Sequence, residues 1–226
     1  MSACIIAAWQ INPTGEVLNM AKIDYKKEYG DWYTASTSQP KWVELPSLNY
    51  LMIDGKGDPN TTPEYQQAVE ALYSLAYGLK FKIKKGETGL DYGVLPLEGL
   101  WWVPDMSKFT QTSKEDWLWT MMIMQPPFVS SQLVASVQSE IKRKKDLPAL
   151  ELVSFESYSE GQAAQIMHLG PYVEEAPTIE KLHTFIHSQD YVRHGKHHEI
   201  YLGDPRLAAP EKLRTIIRQP VNTSKK

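Results

Sequence analysis

An internal repeat constrains this chain more than any other feature: strand, helix, strand, strand is read twice, so the fold has to pack two like halves. In the first half, residues 48–53 (LNYLMI) form an apolar run that ends in the turn-rich DGKGDPN. Thr62, Pro63 and Glu64 then supply an N-cap, a first-turn proline and a first-turn acid. Ala68, Leu72, Leu75, Ala76 and Leu79 recur at helical spacing, which predicts a helix over about 63–82. Residues 92–102 (YGVLPLEGLWW) and 116–124 (DWLWTMMIM) read as two strands. In the second half, 150–158 and 162–169 read as strands and Pro177 opens a helix carrying Ile179, Leu182, Phe185 and Ile186. Residues 198–202 and 213–219 are its last two strands. A helix capped by Ser130 or Ser131, apolar along Leu133, Val134, Val137 and Ile141, links the halves.

Aligned, LMIDGKGDP sits against QIMHLGPY and, with a shift of two residues, VLPLEGL against HHEIYLG, which sets Glu98 opposite Glu199. The closing strands WLWTMMIMQP and LRTIIRQP both carry a threonine and end in Gln-Pro, one residue out of step. A sheet with one face covered by its helix needs cover on the other. The expectation is an α+β fold of two βαββ modules related by a pseudo-twofold axis, with antiparallel sheets forming a ligand groove and helices on the outer face. Module one spans about 40–126, the linking helix about 130–145 and module two about 150–221. Together with residues 20–39 they form one domain, between a peripheral extension at 1–19 and a tail at 222–226.

Composition removes several functional classes. With 24 Lys plus Arg against 27 Asp plus Glu, net charge −3, the chain has no field to hold a nucleic acid. The basic run 142–145 closes a predicted helix, where it complements the dipole. A single cysteine, Cys4, rules out an intramolecular disulfide and a thiolate metal cluster, and fits a reducing cytoplasm. The longest apolar runs fall far short of the roughly 20 residues that span a bilayer. What is left over is aromatic: 7 Trp, 12 Tyr and 5 Phe, 11% of the chain.

Glu98 and Glu199 are carboxylates between apolar neighbours in predicted strands, a costly placement unless they are paired or used. Alternation in HHEIYL puts Glu199, Tyr201 and His197 on one face and His198 and Ile200 on the other. If Ile200 faces the helices, Glu199 faces the groove, as a general base or the counter-charge of a cationic ligand. The bland alternative is a solvated edge glutamate, or one bridged to Arg214 or Arg218. Trp101, Trp102, Trp117 and Trp119 lie on neighbouring strands, with Trp117, Trp119 and Met121 sharing a face and Trp101 opposed to Trp102. So many indoles, each needing a partner for its N–H, favour a partly open aromatic pocket over pure core. His168, ahead of Gly170, belongs to a strand end or the pocket rim. Glu180, His183 and His187 share a helix face, but that spacing is common on solvated faces, and no metal or cofactor is expected. There is no G-x-S-x-G elbow and no phosphate-binding glycine loop.

Four blocks, DYGVLPLEGLWW (91–102), WLWTMMIMQP (117–126), QIMHLGPYVEEAPTIEKLH (165–183) and HHEIYLGDPRLAAPEKLRTIIRQPV (197–221), resemble the stand-alone GyrI-like small-molecule-binding proteins over about 22–221. His168, Gly170 and Tyr172 form an H-x-G-x-Y motif shared more loosely with effector domains of multidrug-responsive regulators. The resemblance implies the two-module fold, flat aromatic ligands, and a buried glutamate against them at Glu199. A similar subfamily, the cyclopropanoid cyclopropyl hydrolases, implies enzymatic opening of spirocyclopropane DNA-alkylating compounds. There Glu199 orients or deprotonates water, Tyr172 or Tyr201 donates to the developing phenolate, and Trp101 and Trp119 hold the flat ligand. The extension departs from the family pattern, and no helix-turn-helix precedes residue 40, which disfavours the regulator form. A binding protein that sequesters such compounds without turnover is the alternative. A protein-binding modulator of a topoisomerase is the second alternative, although no protein partner is otherwise indicated.

Overall fold

The computed structural model describes residues 22–203 and 208–223, so the predicted extension at 1–19 and residues 224–226 lie outside it. Two short helices, α1 (Tyr25–Glu28) and α2 (Gly30–Tyr33), lead into strand β1 (Lys41–Lys56). There follow α3 (Pro63–Lys85), β2 (Leu97–Trp102), β3 (Leu118–Met124) and α4 (Ser131–Lys142). The second half has β4 (Ser154–Leu169), α5 (Ala176–Ser188), β5 (Tyr191–Arg193), β6 (His197–Tyr201) and β7 (Arg214–Thr223). Each half therefore runs strand, helix, strand, strand, with β5 inserted in the second.

The strands form one sheet in the order β4-β1-β3-β2-β6-β7-β5, antiparallel throughout, and β4 also pairs with β7. Six strands thus close on themselves. This corrects the expectation of separate sheets with a groove between them. The cause is strand length. The predicted 48–53 strand is the middle of the 16-residue β1, and the predicted 162–169 strand is the end of the 16-residue β4. Pro148 turns 148–152 into a 3-10 helix, which removes the start of the predicted 150–158 strand. The β1–β4 ladder skips one step between Leu45↔Gly161 and Ser47↔Ser159. Pro46 has no N–H to give there, and Gly161 takes φ 71°, which a residue with a Cβ resists.

Both long helices lie on the outer face. Leu72, Leu75 and Leu79 of α3 are fully buried against β1 and β3, each stabilising the fold by roughly 2 kcal/mol. Leu182 and Ile186 of α5 pack on Ala164, Ile166 and Ile217.

The inner face carries a buried polar cluster. His198 is fully buried, its Nε2 3.0 Å from Glu98 Oε2 and its Nδ1 2.8 Å from Glu160 Oε1. With a carboxylate at each nitrogen the ring is an imidazolium, and those carboxylates raise its pKa against the opposing effect of burial. Arg218 donates to Glu160 at 3.1 Å, to Gln165 at 2.9 Å and to the Trp32 carbonyl at 2.6 Å. Tyr33 donates to Glu98 at 2.8 Å. The cluster ties α2 to β2, β4, β6 and β7. Burial alone would raise the Glu160 pKa, but the charges of His198 and Arg218 hold it down at about 2.

Candidate functional site

Strand pairing builds a second polar group on the outer face, between the first turns of α3 and α5. Glu199 pairs with Gly99, Tyr201 with Leu97 and His197 with Trp101, so all three β6 side chains share a face with Trp101. Ile217, which packs under α5, pairs with Glu199, whereas Ile200 pairs with Glu98 on the inner face. The condition that would put Glu199 in a groove, Ile200 facing the helices, is not met: Glu199 is on the helix side. Gly99 makes the group possible. A Cβ there would stand 2.9 Å from Trp101 Nε1, 3.0 Å from the Tyr201 hydroxyl and 3.3 Å from Met121 Sδ.

In that gap Trp101 Nε1 donates to the Tyr201 hydroxyl at 3.1 Å, and Tyr201 donates to Glu199 Oε2 at 2.8 Å. His197 Nε2 lies 3.1 Å from Glu199 Oε1. Glu175, the N-cap residue of α5, is 5% exposed, and its carboxyl is close enough to Glu199 for each to shift the other's pKa. Glu175 Oε1 and Thr215 Oγ1 are both buried with no partner at hydrogen-bonding geometry. The two carboxyl groups are pushed apart. Burial and then the Glu199 charge drive Glu175 up to about 9. For Glu199 burial acts upward too, but hydrogen bonds and charge from His197, with hydrogen bonds from Tyr201 and Glu175, bring it below its usual value. Burial and Glu199 raise the Tyr201 phenol, which stays a donor. Two carboxyl groups whose surroundings push their pKa values in opposite directions can serve as an acid and a base.

Aromatic rings surround the pair. Tyr65, from the first turn of α3, is stacked 6.0 Å from Trp101 and edge-on at 5.5 Å to Trp119. Tyr172 meets Tyr201 edge-on at 5.6 Å, and Trp117 meets Trp101 at 5.9 Å. Phe109 stacks on Trp117 at 4.6 Å and lies 5.7 Å from His197. The Glu199 side chain keeps 14% exposure and Tyr172 keeps 37%. A carboxylate held by directed donors at the margin of a ring cluster can bind a cation, or accept a proton from a water beside a flat ligand.

Of the sequence candidates, Glu199, Tyr201, Trp101, Met121 and Tyr172 come together. Trp117 joins through Trp101, its own N–H going to the Thr112 carbonyl at 3.2 Å. Trp119 is one ring removed, 1% exposed, and its six-membered ring covers Gly55. His168 is buried on the same face of the sheet, 3.0 Å from Thr178 Oγ1, and pairs across the ladder with Thr215. Glu98 does not join. It is on the inner face with His198, because the alignment that set it opposite Glu199 is one residue away from the ladder, where Gly99 holds that place. Trp102 is also on the other face, with Lys196 Nζ 3.4 Å over its ring. Arg218 is engaged by Glu160, and no ion pair joins Glu199 to an arginine among the described residues. His183 meets Arg193 at 3.0 Å, and no described group of three or more His, Cys, Asp and Glu is placed to hold a metal.

Sequence reasoning missed Glu175, Tyr65 and Phe109, and treated His197 only as a neighbour. A signal existed for the first two: each sits within two residues of the proline that opens a helix, and the two helices start on the same side of the sheet.

A family model described as a GyrI-like small molecule binding domain matches residues 38–222. The chain is similar to a crystal structure of an uncharacterized conserved protein from Listeria innocua, at 41% identity and TM-score 0.81, over 89% of this chain and 100% of that one. It is also similar to two crystal structures of a hydrolase from Listeria innocua, each at 40% identity over 89% of this chain and 100% of the other, at TM-scores 0.77 and 0.79. No curated protein matches the chain. No helix among the described residues is long and apolar enough to cross a membrane.

Proposed function

This chain belongs to the GyrI-like small-molecule-binding family, and from that premise we propose that it binds flat aromatic compounds against Glu199 and hydrolyses the cyclopropane of cyclopropanoid alkylating agents. One observation carries the reading. The Glu199 carboxylate is fixed by Tyr201 at 2.8 Å and His197 at 3.1 Å, at the margin of the Trp101, Tyr65 and Tyr172 rings. The hydrolase description of the Listeria innocua relatives lends support. The same reading takes the two halves as βαββ modules about a pseudo-twofold axis, supported by the order of elements.

The chemistry balances with water alone. Water oxygen bonds to the unsubstituted cyclopropane carbon as that carbon's bond to the spiro centre breaks, and the electron pair moves through the dienone to its carbonyl oxygen. Glu199 accepts the proton of the attacking water, and the new phenolate takes one from an acid of the site. Tyr201 already gives its proton to Glu199, so it serves to hold the base, and Tyr172 is the phenol assigned to the phenolate. The rings restrict the ligand to one plane, which turns attack into a positioned step.

Ring opening of a spirocyclopropyl cyclohexadienone, followed by mass, tests this. Wild-type turnover with a loss of at least about a hundredfold in Glu199→Gln is expected, in line with removal of a general base. Binding without product, in wild type and variant alike, would replace the hydrolase with a sequestering protein. The prior engagement of the Tyr201 proton is the feature that favours this second reading.

A further inference from the structure

The buried stripe of α3 is not its only apolar face. Ala68, Leu72, Leu75 and Leu79 point into the core, while Tyr73, Tyr77 and Phe81 recur at i, i+4 and i+8 on the far side of the helix. Tyr77 and Phe81 are each 47% exposed, and Tyr73 is partly buried. Their rings form a stacked ladder, with centroids 6.3 Å apart at both steps. A surface helix is normally apolar on one face, and a contiguous row of large exposed rings marks a docking surface. Charge flanks the row. Exposed Glu70 stands one turn before Tyr73, and Lys80 and Lys84 stand at the other end. Asp91 serves both lysines, at 3.1 Å and 2.7 Å, so that group keeps a net positive charge. Lys80 Nζ also lies 4.8 Å over the Phe81 ring.

We propose that this face of α3 joins a second copy of the chain in an antiparallel helix pair, with the two-fold axis at Tyr77. The residues of the face are self-complementary about that position. Tyr73 and Phe81 lie four residues to either side of Tyr77, and Glu70 and Lys84 lie seven. A two-fold rotation therefore sets Tyr77 on its own copy, Tyr73 on Phe81 of the partner subunit, and Glu70 on Lys84 of the partner subunit. A parallel pair would instead oppose like charges at both ends and align the two helix dipoles unfavourably. From Glu70 to Lys84 the contact runs about 21 Å, at 1.5 Å per residue. One pair of helices of that length makes a small interface, so the association is weak and depends on the central tyrosine. Tyr65, the α3 residue that borders Glu199, packs toward the sheet on Trp101 and Trp119. The pairing thus leaves the ligand site clear and stands independently of it.

Sedimentation equilibrium of the full chain, from micromolar to submillimolar concentration, tests the association. The expected result is an equilibrium of monomer and dimer, weakened at least about tenfold in Tyr77→Glu, which puts two like charges on the axis. A short bismaleimide in a Cys4→Ser background reads the geometry. Tyr77→Cys is expected to cross-link to itself. Glu70→Cys, about 21 Å along the helix from its own copy, is expected to cross-link only when mixed with Lys84→Cys. All three side chains are exposed, so each variant keeps the packing of the core. A monomer at every concentration would overturn the proposal and leave the face to a different protein. So would a dimer indifferent to Tyr77→Glu, or one in which Glu70→Cys links to itself as readily as Tyr77→Cys.

Discussion

Gly99 is the residue on which the geometry around Glu199 turns. Its missing Cβ is the space through which Trp101 reaches the Tyr201 hydroxyl, and that hydroxyl in turn holds Glu199. Gly99→Ala places a methyl 2.9 Å from Trp101 Nε1 and 3.0 Å from the Tyr201 oxygen, closer than packed atoms tolerate. The expected outcome is a stability loss of about 1–3 kcal/mol, typical of overpacking, measured by urea unfolding, together with weakened ligand binding. Conservative replacement of Leu100, on the opposite face of β2, should leave binding intact. The pH profile follows from the same contacts. Glu199 is held below its ordinary value of 4.5, because the donors of His197, Tyr201 and Glu175 outweigh burial. In the proposed hydrolysis the base must be ionised to act, so activity is expected to be fully present above 4.5 and lost only as pH falls through the depressed value. An acid limb of kcat/KM in the neutral range would contradict the assignment of Glu199 as base.

At the scale of elements, most helices and strands are legible because their signals are local. Pro63 and the apolar stripe from Ala68 to Leu79 place α3, and Pro177 with Leu182 and Ile186 places α5. The lengths of β1 and β4 are not legible in the same way. Their outer portions, KWVEL and SFESYS, are polar or mixed, and pairing of the first with 161–165 of β4 and of the second with 47–52 of β1 is what makes them strands. The inner cluster escapes sequence reading for the same reason: Glu98, Glu160, His198 and Arg218 lie on four strands, and only the ladder brings them together. Alternation through Trp101, Gly99 and Leu97 does put Glu98 on the face opposite Trp101, and this signal is sounder than the repeat alignment. Arg218→Met leaves Glu160 and Gln165 buried without their partner, and a loss of about 3–5 kcal/mol is expected in chemical unfolding. Acid should act on the same cluster. Glu160 titrates at about 2 in the fold against 4.5 as its ordinary value, so its contribution is complete above 4.5 and disappears as pH falls toward 2. That contribution is on the order of 3 kcal/mol. The raised pKa of His198 works in the other direction: its share is complete below 6.5 and is lost as pH rises through the folded value. Unfolding free energies measured from pH 2 to 9 check both signs.

For the whole molecule, closure of the sheet is what separates two buried carboxylate systems that the repeat would have merged. Inside, Glu98 and Glu160 are saturated by His198, Arg218 and Tyr33, and that cluster binds the fold together. Outside, where α3 and α5 begin, Glu199 is held by His197 and Tyr201 and bordered by rings, and Oε1 of Glu175 is buried with no partner at hydrogen-bonding geometry. The two face opposite sides of the same strand, one residue apart at His198 and Glu199. Which side receives a ligand is therefore the central question, and a crystal structure with 1-methylquinolinium bound answers it directly. The account predicts density against Glu199, in contact with Trp101 or Tyr65 and bordered by Tyr172. Density inside the closed sheet beside Glu98 and His198, with the Glu199 group undisturbed, would contradict it.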